Sequence, residues 1–145
     1  MHAEVRFHRG RPHLLEIAAR PGGGGLDYMA RLSAGYNPIA AVRDVAAGIR
    51  PDVRHYTPTE VHTAAMCLLC DSGRVVEVRV PAEVTGSDRL FFFKITARPG
   101  DVIRRPPAGN SILGFLGATG TSFDDAMRTA TDLAGRIDVE LVDRP

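Results

Sequence analysis

Residues 4–19 alternate between polar and apolar side chains, and a turn signal interrupts the alternation half-way. Glu4, Arg6 and His8 are polar while Val5 and Phe7 are apolar; Arg9-Gly10-Arg11 then marks a reversal, and Pro12 to Ala19 continues as a second extended run. A period of two sends successive side chains to opposite faces of a strand, so this segment is a β-hairpin. Pro21-Gly22-Gly23-Gly24-Gly25 ends the second strand. The hairpin's place is therefore set at both ends by residues that cannot extend it.

Beyond the glycines, Leu26 to Ala34 has helical character, with Leu26, Met29 and Ala30 able to share a face. Asn37-Pro38 marks a second helix start, asparagine as N-cap and proline at the first helical position, running to about Ala47 and stopping at Gly48. Residues 49–59 carry Pro51 and Pro58 and form a connection. The composition then shifts. His62 to Cys70, Arg74 to Val80, Arg89 to Thr96 and Ser111 to Ala118 are predicted strands, with Asp71-Ser72-Gly73 as a hairpin turn. Ser122 and Asp125 resemble a capping box, opening a helix whose buried stripe is Ala126, Ala130, Leu133 and Ile137. Asp138 to Val142 is a last strand. The expected class is α+β: a hairpin with helices over residues 1–58, then a small antiparallel sheet with one packed helix over 59–145.

Charge excludes two classes of partner. Net charge is +1 over 145 residues, which gives no bulk field for nucleic acid or an anionic membrane. Lys94 is the only lysine, so a phosphate grip built on lysines is absent. The longest apolar run, Ala64 to Cys70, is too short for a membrane span, and the start of the chain carries no secretory pattern, so a cytoplasmic setting is expected. Cys67 and Cys70 are read as small buried hydrophobes: residues three apart on a strand face opposite sides and cannot chelate one ion together. His2, His8, His13, His55 and His62 show no metal or catalytic spacing. Phe91-Phe92-Phe93 is read as core on two faces, and Arg104-Arg105 as a solvated loop or a lid over an acidic substrate.

The hairpin's polar face carries the chemistry. With Arg9-Gly10-Arg11 as a three-residue loop, His8 lies opposite Pro12, Arg6 opposite Leu14 and Glu4 opposite Glu16; a two-residue turn would separate the glutamates. Directly opposed residues share a face at a Cα separation of roughly 5 Å, where like charges repel. A divalent cation converts that repulsion into coordination, and Mg²⁺ takes one or two carboxylates plus substrate phosphates. Arg6 and Arg20 share this face, while Val5, Phe7, Leu15 and Ile17 form the apolar one. The alternative is a solvated face with cross-strand Arg–Glu pairs. The glycine run between strand and helix is either an anion site made of backbone N–H groups or a flexible turn. It is not a P-loop, since no Gly-Lys-Ser/Thr follows.

Glu4-Val5-Arg6-Phe7, a short turn, then Leu15-Glu16-Ile17-Ala18-Ala19-Arg20-Pro21-Gly22-Gly23 together resemble the metal-binding hairpin of ATP-grasp enzymes. Most of that superfamily has Asn where Ala18 stands, which leaves two metal ligands here instead of three; the L-amino acid ligase branch tolerates alanine. The Tyr36-Asn37-Pro38 helix start and the run Gly114-Phe115-Leu116-Gly117-Ala118-Thr119-Gly120 before the last helix resemble the same branch, and more distantly biotin carboxylases. The resemblance is specific over residues 4–25 and loose after residue 60.

Such ligases phosphorylate a carboxylate with ATP, and an amine attacks the acyl phosphate to give an amide. The resemblance implies Glu4 and Glu16 on Mg²⁺ (or Mn²⁺), Arg20 on the transferring phosphoryl group and the tetrahedral intermediate, and backbone N–H groups of Gly22, Gly23 and Gly24 on a substrate carboxylate. The glycine-rich lid, phosphate-binding lysines and adenine pocket of such enzymes lie upstream of this stretch. The chain is therefore expected to need an upstream ATP-binding region, or a separate chain supplying it, and to be inactive alone. Exposed apolar surface on the hairpin, and with it a partner or a homodimer, is a further expectation. The other classes are a biotin-carboxylase-type portion and a non-enzymatic binding module on the same fold.

Overall fold

The computed structural model describes residues 2–52 and 57–143; His55 and part of the 49–59 connection lie outside the described residues. The chain divides into two compact units, residues 1–59 and 60–145.

In the first unit, β1 (His2–His8) and β2 (Arg11–Ala18) form an antiparallel pair. The turn between them is Arg9-Gly10, both with positive φ (49° and 72°), which matches the right-handed twist of a hairpin. His8 pairs with Arg11, Phe7 with Pro12, Arg6 with His13 and Val5 with Leu14. This corrects the three-residue loop. The register then shifts between Glu4 and Val5, leaving Leu15 as the extra residue of a bulge, and Glu4 pairs with Glu16. Leu14 rather than Leu15 therefore shares the face of Val5 and Phe7.

After the glycine turn come α1 (Leu26–Ala34) and α2 (Pro38–Ala46). Gly24 and Gly25 adopt positive φ (64° and 84°), which reverses the chain into α1 where a Cβ would be strained. Asn37 caps α2 by accepting from the Ala40 N–H at 3.1 Å, with Pro38 in the first turn, as the sequence predicts. This unit lacks an apolar core of its own: among its described residues, Ala34 is the only buried hydrophobic one. Phe7 is 70% exposed and Ile17 56%, with Val5, Leu14 and Leu15 exposed beside them. The face read as core is open in this chain.

The second unit contains two three-stranded antiparallel sheets where one was expected. The first has order β3-β7-β5, from β3 (His62–Leu68), β5 (Leu90–Ile95) and β7 (Gly114–Gly120). The second has order β6-β4-β8, from β4 (Gly73–Arg79), β6 (Val102–Ile103) and β8 (Asp138–Val142). Asp71-Ser72-Gly73 is thus no hairpin turn: β3 and β4 belong to different sheets. Arg105 holds this corner, its N–H donating to Ser72 Oγ at 3.0 Å and its guanidinium to Asp71 at 3.1 Å. The short helix α3 (Ala82–Thr85) was not anticipated; α4 (Phe123–Ala134) packs on β7 and β3. Ala126, Ala130 and Leu133 are buried along α4, whereas Ile137 lies past its end, partly buried against the same core. Cys67 is exposed and Cys70 half-buried, a departure from the buried pair expected.

Strand β7 explains its own glycines. A Cβ on Gly114 would run into the Lys94 carbonyl of β5, one on Gly117 into the Phe91 ring, and one on Gly120 into the backbone of Asp125 and Ala126. The glycines let a strand, a ring and a helix start approach the central strand closely. Its start at Gly114 rather than Ser111 has a local cause. The Leu113 backbone is engaged differently, donating to the Leu68 carbonyl and accepting from Thr96 and Ala97.

The α4 cap carries an electrostatic cluster. Ser122 Oγ accepts from the Asp125 N–H, and the Asp125 carboxylate accepts from the Thr121 N–H at 3.0 Å and from Arg89 at 2.6 Å. The Thr121 bond holds this carboxyl below the ordinary aspartate range; partial desolvation opposes it, and Arg89 adds to the lowering. A carboxyl lowered in the folded state stabilises the fold above the ordinary aspartate pKa, and that contribution fades as pH falls through the folded value. Asp125→Asn is therefore expected to lower the urea midpoint at pH 7. Its deficit against wild type should shrink at pH values below about 4. Equal deficits at both ends would show that the charge plays no part.

Candidate functional site

The hairpin bulge builds the site. Leu15 re-phases β2 so that Glu16 falls opposite Glu4 despite the two-residue turn. Pleat alternation then puts His2, Glu4, Arg6 and His8 of β1 on one face with their partners Ala18, Glu16, His13 and Arg11. Both carboxylates are about half exposed. Each has one neighbour that can donate to it: His2 Nε2 lies 3.1 Å from Glu4 Oε1, and the Arg20 guanidinium 3.7 Å from Glu16 Oε1. Arg20 also donates to the Pro21 carbonyl at 3.1 Å.

Gly22, Gly23 and Gly24 form the turn between β2 and α1, and no side chain caps the start of α1. Gly22 is closely packed: a Cβ there would come within 2.6 Å of Leu26 Cδ1 and 2.8 Å of His2 Nδ1. A cavity of about 520 Å³ lies in this unit, lined mainly by apolar side chains including Ile17, Leu26, Tyr36, Val42 and Val45. Its lining also includes His2 and Gly22, so the cavity reaches the glycine turn and the histidine beside Glu4.

Two opposed carboxylates suit a hard divalent cation that completes its shell with water and phosphate oxygens. Among the described residues no three His, Cys, Asp or Glu side chains cluster to hold a metal by themselves.

The family model for L-amino acid ligase C-terminal domain 2 matches residues 65–142, more than half of the chain. The chain belongs to that family. The L-amino acid ligase from Bacillus licheniformis has the same fold, with a TM-score of 0.82 at 19% identity over 97% of this chain. Phosphoribosylglycinamide synthetase from Anaerococcus prevotii follows with a TM-score of 0.76 at 14% identity, also over 97%. This chain spans 36% of the length of each. No curated protein sequence matches it significantly. The fold is thus that of the C-terminal portion of ATP-grasp ligases.

In this ligase-family chain the Arg104-Arg105 loop is a corner brace through Arg105, which bonds Ser72 and Asp71. Among the described histidines, which show no metal or catalytic spacing in the sequence, His2 is the one found against a carboxylate of the hairpin's polar face. Its spacing to Glu4, two residues along a strand and hence on the same face, was the available signal. No described helix is long and apolar enough to cross a membrane.

Proposed function

We propose that this chain is the C-terminal part of an ATP-dependent carboxylate–amine ligase that joins amino acids or peptides through an acyl phosphate. The observation that carries the reading is the pairing of Glu4 with Glu16 across the bulged hairpin, with Arg20 beside Glu16. Membership of the L-amino acid ligase C-terminal family supports it.

In this reading Glu4 and Glu16 hold Mg²⁺ or Mn²⁺. The bound cation supplies Lewis-acid neutralisation of phosphate oxygens. Arg20 donates to the phosphoryl oxygens as they move from ATP to the substrate carboxylate. It donates again to the oxyanion formed when the amine attacks and phosphate leaves. Backbone N–H groups of Gly22, Gly23 and Gly24 orient a substrate carboxylate. ATP itself is held by an ATP-binding region upstream or on a separate chain. The exposed apolar face of Val5, Phe7, Leu14 and Ile17 is where that region covers the hairpin. A homodimer through this face is the competing arrangement, and the chain alone is inactive.

Mg-ADP binding measured by calorimetry, with and without an ATP-binding half, tests the reading. Binding is expected only in the combined sample, and Glu4→Gln with Glu16→Gln should remove the Mg²⁺ dependence of that binding. Failure to bind nucleotide in either sample would instead favour a non-enzymatic module on this fold.

A further inference from the structure

His2 packs between two parts of the candidate site. Its Nε2 lies 3.1 Å from Glu4 Oε1, and only 18% of its side chain is exposed. A carboxylate only accepts, so Nε2 carries the proton and donates. The ring's other nitrogen faces the glycine turn: a Cβ at Gly22 would approach Nδ1 to 2.8 Å, with Leu26 Cδ1 closing the same space. The imidazole is thus lodged between the Gly22 turn and the Glu4 carboxylate. Just past the end of the opposite strand, Arg20 stands in the corresponding relation to Glu16, at 3.7 Å.

We infer that His2 is a positioning residue for the carboxylate of Glu4, and that Gly22 is the residue which leaves room for its ring. This rests on the reading that Glu4 and Glu16 share a divalent cation. An exposed glutamate samples many rotamers and must surrender them to bind an ion. A hydrogen bond from a half-sequestered ring restricts that sampling beforehand, as donors behind metal-bound carboxylates do. His2 acts through Glu4 rather than as a third ligand, since among the described residues no three-membered His/Cys/Asp/Glu group is formed.

The test uses the chain alone with Mn²⁺ as probe, reading paramagnetic broadening of backbone amide signals, which detects weak binding at a known position. Broadening is expected around residues 4 and 16 in wild type and should disappear in Glu4→Gln. His2→Ala should need about tenfold more Mn²⁺ for half-broadening, in line with the usual effect of removing a partner behind a ligand. His2→Gln, which can donate from a similar position, should return to within about twofold of wild type. The same spectra report whether each variant is folded. If His2→Ala binds like wild type, or His2→Gln is as weak as His2→Ala, the positioning role falls and the metal reading stands. If wild type shows no localised broadening, or the broadening survives Glu4→Gln, both fall.

Discussion

Replacing Leu116 with alanine is expected to remove about 2–5 kcal/mol from the stability of residues 60–145. Leu116 is fully buried at the middle of β7, the central strand, between Met66 of β3 and Phe93 of β5. Four of the eleven residues buried in this core are alanines, Ala64, Ala118, Ala126 and Ala130. Small side chains have no rotamers with which to fill a hole, and α4 is held close to the sheet by Gly120. The site can therefore collapse little, which places the cost toward the upper part of that range. Urea titration followed by methyl NMR signals of this unit measures it. A loss below about 1 kcal/mol would mean that the layers relax together and the packing argument is wrong.

The second large effect concerns chemistry. In a ligase assembled from this chain and an ATP-binding half, Arg20→Ala is expected to lower kcat by about 10²–10³-fold, the usual consequence of removing a donor to a developing oxyanion. Arg20→Lys should recover only part of this, because an ammonium cannot reproduce the planar fork that spans two oxygens. Nucleotide affinity should change far less than the rate, since the proposed contact strengthens as phosphoryl transfer proceeds. Phosphate release under single-turnover conditions separates the two. A rate unchanged in Arg20→Ala would leave its pairing with Glu16 as its whole role.

The exposed hairpin face has a consequence for handling the chain. Two strands alone bury too little to be stable, and this pair carries a row of open apolar side chains. Among the described residues of the first unit Ala34 is the one buried hydrophobic side chain, whereas residues 60–145 enclose a core of their own. The physical difference is the presence of layers: α4 and two sheets bury apolar faces against one another in the second unit. Among the described residues of the first, nothing covers the outer face of Val5 and Phe7.

Some features were legible because they are encoded over a few residues. The alternation of Val5 and Phe7 made a strand, Asn37-Pro38 started a helix where predicted, and Ser122 capped α4. The pairing of Glu4 with Glu16 was also anticipated, although by the wrong turn: a two-residue turn and a bulge at Leu15 replace the three-residue loop. Both routes place one extra residue between His8 and Glu16, in the turn in the first case and at Leu15 in the second; sequence alternation does not distinguish them.

Local chemistry in the sequence determined which segments are strands and helices, where helices begin, and which acids could meet across the hairpin. Tertiary structure decided which strands pair. β3 and β4 flank a good turn signal yet enter different sheets, because Arg105 holds the corner and β7 offers β3 a glycine- and alanine-rich partner. It also decided that His2 lies against Gly22 and Glu4, a contact between segments twenty residues apart in sequence. Turn and cap preferences act over a few neighbouring residues. Strand partners and ring positions depend on packing between segments that come together only once the chain has folded.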